Sequence, residues 1–193
     1  METGILILAA GNSSRLGEPK QLLKFNGKTL LQKIVEEALE VSKCVVIVTG
    51  SNHFIISKEI EDMEVEIIEN TNWIQGMGVS IEVGINQLLN SCPTVENCII
   101  SVCDQPFITA AVFSELIQMQ KDSQKGIVAS KYSDTLGTPV LFTKKYFKEL
   151  FSLSGQKGAK KLLQKFGEDI AQINFERGAI DIDTQSDYQK LIQ

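Results

Sequence analysis

The stretch "LILAAGNSSRLGEPKQLL", residues 6–23, opens as a continuous apolar run and changes character at Gly11. A short apolar run bounded by glycine is the pattern of a strand buried on both faces. Small polar residues follow, then Arg15, Gly17 and, directly after Pro19, Lys20. A buried strand that runs into a loop with two cations puts those cations at the carboxyl edge of a sheet. Open α/β sheets bind their ligands there.

The rest of the chain repeats the plan. "CVVIVTG" (44–50) and "NCIISVC" (97–103) are buried strands of the same kind, the second ending directly at Asp104. "EVEII" (64–68), "GIVAS" (126–130), "PVLFT" (139–143) and residues 170–175 read as further strands. In "TLLQKIVEEALE" (29–40), Leu31, Ile34, Val35 and Ala38 share one helical face, with charge opposite. Residues 52–61, 78–90, 110–120, 143–151, 157–165 and a closing segment from about 184 carry helical patterns too. Strands alternating with helices predict an α/β fold of three layers, a mostly parallel sheet with helices on both faces. No linker, repeat or low-complexity tract intervenes, so residues 1–193 are expected to form a single domain.

Composition narrows the function. Hydrophobic residues make up 43% and charged residues 22% of the 193, an ordinary globular balance. The net charge of −5 argues against a general grip on nucleic acid. Against that background Arg15, Lys20, Lys24 and Lys28 form a local basic exception, of which Lys24 and Lys28 read as solvated surface. Cys44, Cys92, Cys98 and Cys103 contain no CxxC pair and read as reduced thiols of a cytoplasmic protein. His53, the one histidine, lacks metal-site companions and reads as a helix-start residue. The first apolar run is too short for a membrane span or signal peptide.

Three loops at the predicted carboxyl edge carry the chemistry. The first, after Ala10, is glycine-rich, which lets backbone N–H groups approach a phosphate. It fits neither common template: its second glycine is one place late for GxxxxGK[ST], and GxGxxG is absent. What remains is Arg15 and Lys20 five apart on one loop, suited to a polyphosphate; incidental surface charge is the alternative. The second, "SVCDQPFIT" (101–109), places Asp104 at the strand end, with Thr109 as the cap of the next helix. A carboxylate beside a polyphosphate loop is a way to hold Mg²⁺; a turn role is the alternative. The third, "NWIQGMGVSIEVGI" (72–85), has Trp73, tight glycines and Ser80 at a helix start. It suits a base or phosphate contact, or a Trp73 plug in the core. Near the end, Asp181 and Asp183 of "AIDIDTQSDY" share a face if extended and would add a metal ligand. Asp187 belongs to the first turn of the closing helix, with Thr184 as its cap.

Together "LILAAGNSSRLGEPKQLL", "WIQGMGVSIEVG", "CDQPFIT", "GTPVLF" and "DIDTQSDY" resemble the molybdenum cofactor cytidylyltransferase family, from about residue 4 to the C-terminus. The resemblance implies a Rossmann-like nucleotidyltransferase. Leu8, Ala9, Ala10, Gly11, Gly78 and Ser80 would bind the nucleotide, and Arg15 and Lys20 its phosphates. Arg15, Lys20 and Asp104 would be catalytic. Asp104 and Asp181, with Asp183 as the alternate, would hold Mg²⁺. Ala10, where relatives that use guanine tend to have glycine, favours CTP. The implied acceptor is the phosphate of molybdopterin-type cofactor, and the implied receiver of product a molybdoenzyme or its maturation chaperone. Neither nucleic acid nor membrane is an implied partner. The chain departs from the family's Gly-Asp-x-Gly-Ala-Arg at Gly155, Gln156, Lys157, Gly158, Ala159 and Lys160. An acid has become an amide and an arginine a lysine, and those cations are not equivalent at a phosphate. Other readings stand beside this one. They are guanylyl transfer to the same cofactor, nucleotidyl transfer to a sugar or alditol phosphate, and a cofactor-binding or insertion protein without turnover.

Overall fold

The run read as the first buried strand is β1 (Glu2–Ala9), buried from Thr3 onward. A computed structural model describes it together with residues 1–153, 155 and 158–192. After β1 come a short hairpin, β2 (Lys24–Phe25) and β3 (Lys28–Thr29), then α1 (Leu30–Leu39), β4 (Val45–Thr49) and α2 (His53–Glu59). β5 (Glu66–Glu69), α3 (Met77–Ser91), β6 (Val95–Val102) and α4 (Ala110–Ser123) follow. The chain continues through β7 (Ile127–Tyr132), β8 (Thr135–Thr143), α5 (Phe147–Phe151), α6 (Lys160–Lys165), β9 (Ile170–Asn174) and α7 (Gln185–Ile192).

Seven strands form one sheet in the order β5-β4-β1-β6-β8-β7-β9. β1 lies parallel to β4, with Ile5 opposite Val45, and parallel to β6, with Ile5 opposite Ile99. β8 alone runs against its neighbours β6 and β7, while β7 and β9 are parallel. The sheet is therefore mostly parallel, as the alternation of runs predicts. The β7–β8 hairpin was not foreseen, and β8 starts four residues before the predicted 139. Its turn is Ser133–Asp134, both at positive φ (46° and 56°), the geometry of a type I′ hairpin. Asn-Gly is the usual signal for that turn, and Ser-Asp does not announce it.

Strand alternation divides the core between the two faces. Leu6 and Leu8 point to the side covered by Ile81, Ile85 and Leu88 of α3, with Leu150 and Leu162. Ile5 and Ile7 point to the side covered by Leu31, Ile34 and Val35 of α1, with Phe113 and Leu116 of α4. Full burial of such side chains contributes about 1.5–3 kcal/mol each. α1 starts on a capping box between Thr29 and Gln32. In α3, Gly84 sits against Leu6 and Val48, where a Cβ would clash with both. That close approach sets the N-terminus of α3 above the end of β1.

Two further expectations need correction. Thr109 precedes α4 but its side chain makes no cap bond. The Ala110 N–H donates instead to Glu37 Oε2 of α1 at 2.6 Å, a carboxylate at a helix N-terminus. The four cysteines are not all thiols. Cys44, before β4, is joined in a disulfide to Cys92 at the end of α3, Cα atoms 6.2 Å apart. Their separation of 48 residues leaves no spacing signal; the fold alone brings them together. Closing a loop of that length restricts the unfolded chain, worth about 2–4 kcal/mol. Cys98 and Cys103 are buried thiols, each pushed up to about 12 by burial. Residues 144–146 open the predicted 143–151 helix as a 3₁₀ turn. Gln156 and Lys157, in the departure noted above, lie outside the described residues. Among the described residues, no helix is long and apolar enough to cross a membrane.

Candidate functional site

The loop after β1 is closed on itself before it holds anything else. The Leu16 N–H donates to the Ser13 carbonyl at 2.9 Å, and the Lys20 N–H to Ser13 Oγ at 3.0 Å. Pro19, at φ −63°, leads into a 3₁₀ turn over Lys20–Leu22. Below the loop, Leu16, Leu23, Leu30 and Ile182 form a small cluster of their own. Ile182 is fully buried there, and its N–H donates to the Asp104 carbonyl at 2.9 Å. This one plug ties the C-terminal segment to both the opening loop and the end of β6. It also fixes its neighbours in the chain, Asp181 and Asp183.

The charges meet across that tie. Lys20 Nζ donates to Asp104 Oδ2 at 2.7 Å and to Asp183 Oδ1 at 2.8 Å. Arg15 donates to Asp183 Oδ2 at 2.8 Å. Burial by itself would lower Lys20, but the charge and hydrogen bond of Asp104 outweigh it and hold the ammonium above its usual value. The bond from Lys20 holds Asp183 below the usual carboxylate range, against the pull of burial. Asp181 moves the other way, raised by burial and by the charges of Asp183 and Asp104. Asp104, Asp183 and Lys20 are thus brought into contact, Arg15 joins through Asp183, and Asp181 lies within electrostatic reach.

A cleft of about 620 Å³ opens beside this cluster, bounded by Leu8, Ala10, Gly11, Lys20, Ser80 and Asp104. Trp73, Ile74 and Met77 form its apolar lip. Trp73 reaches this position because Gly50 has no Cβ: one placed there would meet the Ala10 carbonyl at 2.6 Å and Trp73 Cβ at 2.8 Å. The residue therefore packs on the core and lines the cleft at once. Arg15 lines a smaller neighbouring hollow of about 170 Å³, with Asp183. Ala9 is placed differently from the other candidate nucleotide contacts. Its side chain packs into the opposite face of the sheet, and only its backbone belongs to the loop. Gly78 is buried in the first turn of α3, its N–H donating to the Gly155 carbonyl at 3.3 Å. Thr184 and Asp187 cap α7 reciprocally, as the sequence indicates.

Two buried amides of the site escaped the sequence analysis. Asn70, just beyond β5, donates to Ser80 Oγ at 2.9 Å and accepts from the Asn72 N–H. Its position after a parallel strand was the available signal. Gln21 donates to the Ala9 carbonyl at 2.8 Å and to the Gly11 carbonyl at 3.2 Å. Nothing in "KQLL" marks it.

The donor set fits a hard cation. Asp104 and Asp183 carry carboxylate oxygens, three of which Lys20 and Arg15 engage, and the adjacent Cys103 is a buried thiol whose pKa burial pushes up to about 12. Among the described residues no ready-made group of three metal-ligating side chains exists. A hard cation can be held by one or two carboxylates and completed by ligand phosphates and water.

Residues 5–171 match the family described as "MobA-like NTP transferase domain". The molybdenum cofactor cytidylyltransferase of Escherichia coli (strain K12) is 23% identical over 184 residues, 95% of this chain and 92% of that protein. A probable molybdenum cofactor guanylyltransferase of Bacillus cytotoxicus is 29% identical over 64% of this chain and 59% of its own length. The nicotine blue oxidoreductase of Paenarthrobacter nicotinovorans is 31% identical over 71% of this chain and 64% of its own. Among solved structures, Rv0371c of Mycobacterium tuberculosis H37Rv superposes with a TM-score of 0.82 at 26% identity, covering 100% of this chain and 98% of that one.

Proposed function

The chain belongs to the MobA-like NTP transferase family, and from that premise we propose that it moves a nucleotidyl group from CTP to the phosphate of molybdopterin-type cofactor. The observation that carries the proposal is the run Arg15–Asp183–Lys20–Asp104, cations and carboxylates in alternation, with Lys20 and Asp104 on the cleft and Arg15 and Asp183 on the neighbouring hollow. The name of the E. coli relative, aligned along 95% of this chain, supports the choice of acceptor and nucleotide.

An oxygen of the acceptor phosphate forms a bond to the α-phosphorus. The bond from that phosphorus to the oxygen bridging to the β-phosphate breaks, and pyrophosphate leaves with the electron pair. The acceptor's second pKa is about 6, so it arrives as an anion and needs no strong base. Catalysis is then positioning and charge neutralisation. Lys20 leaves the carboxylates for the β- and γ-phosphates, with Arg15 beside it, and both stabilise the departing charge. Asp104, with Asp181 or Asp183, would hold a divalent cation, Mg²⁺, which supplies charge neutralisation at the phosphates. Leu8, Ala10, Gly11 and Ser80 surround base and ribose, Gly78 stands behind them in the first turn of α3, and Ala9 contributes its backbone. The Ala10 methyl takes space that a purine's second ring would use.

Mass spectrometry of the product formed from purified molybdenum cofactor, with Mg²⁺ and each of CTP, GTP and ATP, tests the proposal. The cytidine adduct should dominate. A dominant guanosine adduct moves the assignment to guanylyl transfer, and no adduct with any nucleotide overturns it.

A further inference from the structure

We infer that Gln21 is the positioning residue of the nucleotide loop, its carboxamide clamping the Ala9 and Gly11 carbonyls so that the loop is held before the nucleotide arrives. The inference rests on the nucleotidyl-transfer reading of the cleft. Gln21 is 1% exposed, yet it borders the cleft. Both protons of its NH₂ are used, one on each carbonyl. The carbonyl between them, that of Ala10, accepts from the Ser51 N–H at 3.3 Å. Three successive carbonyls at the strand end are therefore tied down.

A trans peptide is planar, with its N–H opposite its C=O. Anchoring the Gly11 carbonyl on Gln21 turns the Asn12 N–H to the opposite side, and Asn12 lines the cleft. At the other end of the loop, Lys20 is the chain neighbour of Gln21 and has its own N–H on Ser13. One buried side chain thus couples the phosphate-facing backbone to the phosphate-facing lysine.

Packing alone does not call for an amide here. Leucine and methionine are close to glutamine in size, so volume by itself does not require an amide. The Gln21 Oε1 is buried and without a partner among the described residues, so the site keeps an orphan acceptor. Rotating the amide would set that oxygen against two carbonyl oxygens. What the carboxamide supplies and an apolar group lacks is the pair of donors.

The test measures CTP affinity by calorimetry with Mg²⁺ and no acceptor, on folded protein. Gln21→Met removes both donors. Gln21→Glu keeps the shape but sets carboxylate oxygens against the two carbonyls. Burial raises the introduced carboxyl's pKa, so lowering pH protonates it and restores one donor. At pH 8.5 both variants should bind CTP about 10- to 100-fold more weakly than wild type. Between pH 8.5 and 6 the Gln21→Glu variant should regain part of that loss while Gln21→Met does not. Wild-type affinity in Gln21→Met, or the same pH trend in both, overturns the clamp. If the variants do not fold, wild-type protein labelled with ¹⁵N-glutamine decides. The Gln21 side-chain amide should exchange slowly with solvent and shift on CTP titration; a fast-exchanging or unmoved resonance overturns the clamp. Wild-type protein that binds no nucleoside triphosphate overturns the underlying reading instead.

Discussion

Two lysine–aspartate clusters in this molecule look alike in sequence and differ in what they leave open. At the far end of the sheet, Asp169 accepts from the Tyr146 hydroxyl at 2.6 Å, from Lys145 at 2.9 Å and from the Gly126 N–H at 3.1 Å. Those partners close the carboxylate, and the Lys145 side chain is 67% exposed. At the strand carboxyl ends, Lys20 is only 16% exposed and is shared by two carboxylates, Asp104 from the end of β6 and Asp183 from the C-terminal segment. The first cluster joins β7 to the segment leading into β9. The second borders a cleft, where Asp104 and Asp183 hold two cations and Asp181 lies within electrostatic reach. A surface pair fastens elements, whereas a half-buried, over-supplied cluster at a parallel strand edge is positioned to exchange partners with a ligand.

Substitutions in the two clusters should separate these roles. The largest effect belongs to Asp104→Asn, which keeps size and removes the charge for a hard cation. Turnover should fall on the order of 10²-fold or more with little change in melting temperature. Lys20→Met should cost a comparable factor, and Arg15→Ala less, about 10-fold, because an exposed charge is screened by salt. Initial rates on folded variants rank them; equal losses at Arg15 and Lys20 would remove the distinction. Of the two C-terminal acids, Asp183→Ala should raise the Mg²⁺ requirement more than Asp181→Ala, since Asp183 already shares Lys20 with Asp104. A Mg²⁺ titration of each decides, and an unshifted requirement in both removes the segment from the metal site.

The far cluster should respond in stability alone. Tyr146→Phe removes one hydrogen bond to Asp169 and should cost about 1 kcal/mol in denaturant melts, with turnover intact. pH sharpens the contrast. The Tyr146 hydroxyl, then Lys145, holds the Asp169 carboxyl down at about 2. A depressed carboxyl contributes stability that is present above its unfolded value of about 3.9 and is lost as pH falls toward the folded value. Asp169→Asn should therefore flatten the loss of stability between about pH 4 and 2. An unchanged acid limb would show that this pair contributes nothing. Lys20 has the opposite sign: its raised pKa keeps the ammonium charged, so no lysine limb should enter the rate profile below about pH 10.

The layers and the opening loop were legible because they are local. Continuous apolar runs mark buried parallel strands, and the change at Gly11 marks a sheet edge. Arg15, Lys20 and Asp104 follow from that edge. What escaped is long-range. Glu37 caps α4 from another helix, Cys44 finds Cys92 across 48 residues, and Ile182 plugs a cluster built mainly from residues 16–30. No spacing encodes such meetings. Asp183 illustrates the consequence. The resemblance implies Asp181 first, with Asp183 as alternate, and the contact of Asp183 with Lys20, next in the chain to the buried Ile182, is a long-range meeting of this kind.

The most direct measurement compares Mg²⁺-dependent pyrophosphate release from CTP and purified molybdenum cofactor by wild-type protein, Asp104→Asn and Asp169→Asn. Release should be acceptor-dependent in wild type, retained in Asp169→Asn, and reduced on the order of 10²-fold in a folded Asp104→Asn. Wild-type rates in Asp104→Asn, or a loss equal to it in Asp169→Asn, would contradict the assignment of the cleft cluster as the reacting centre.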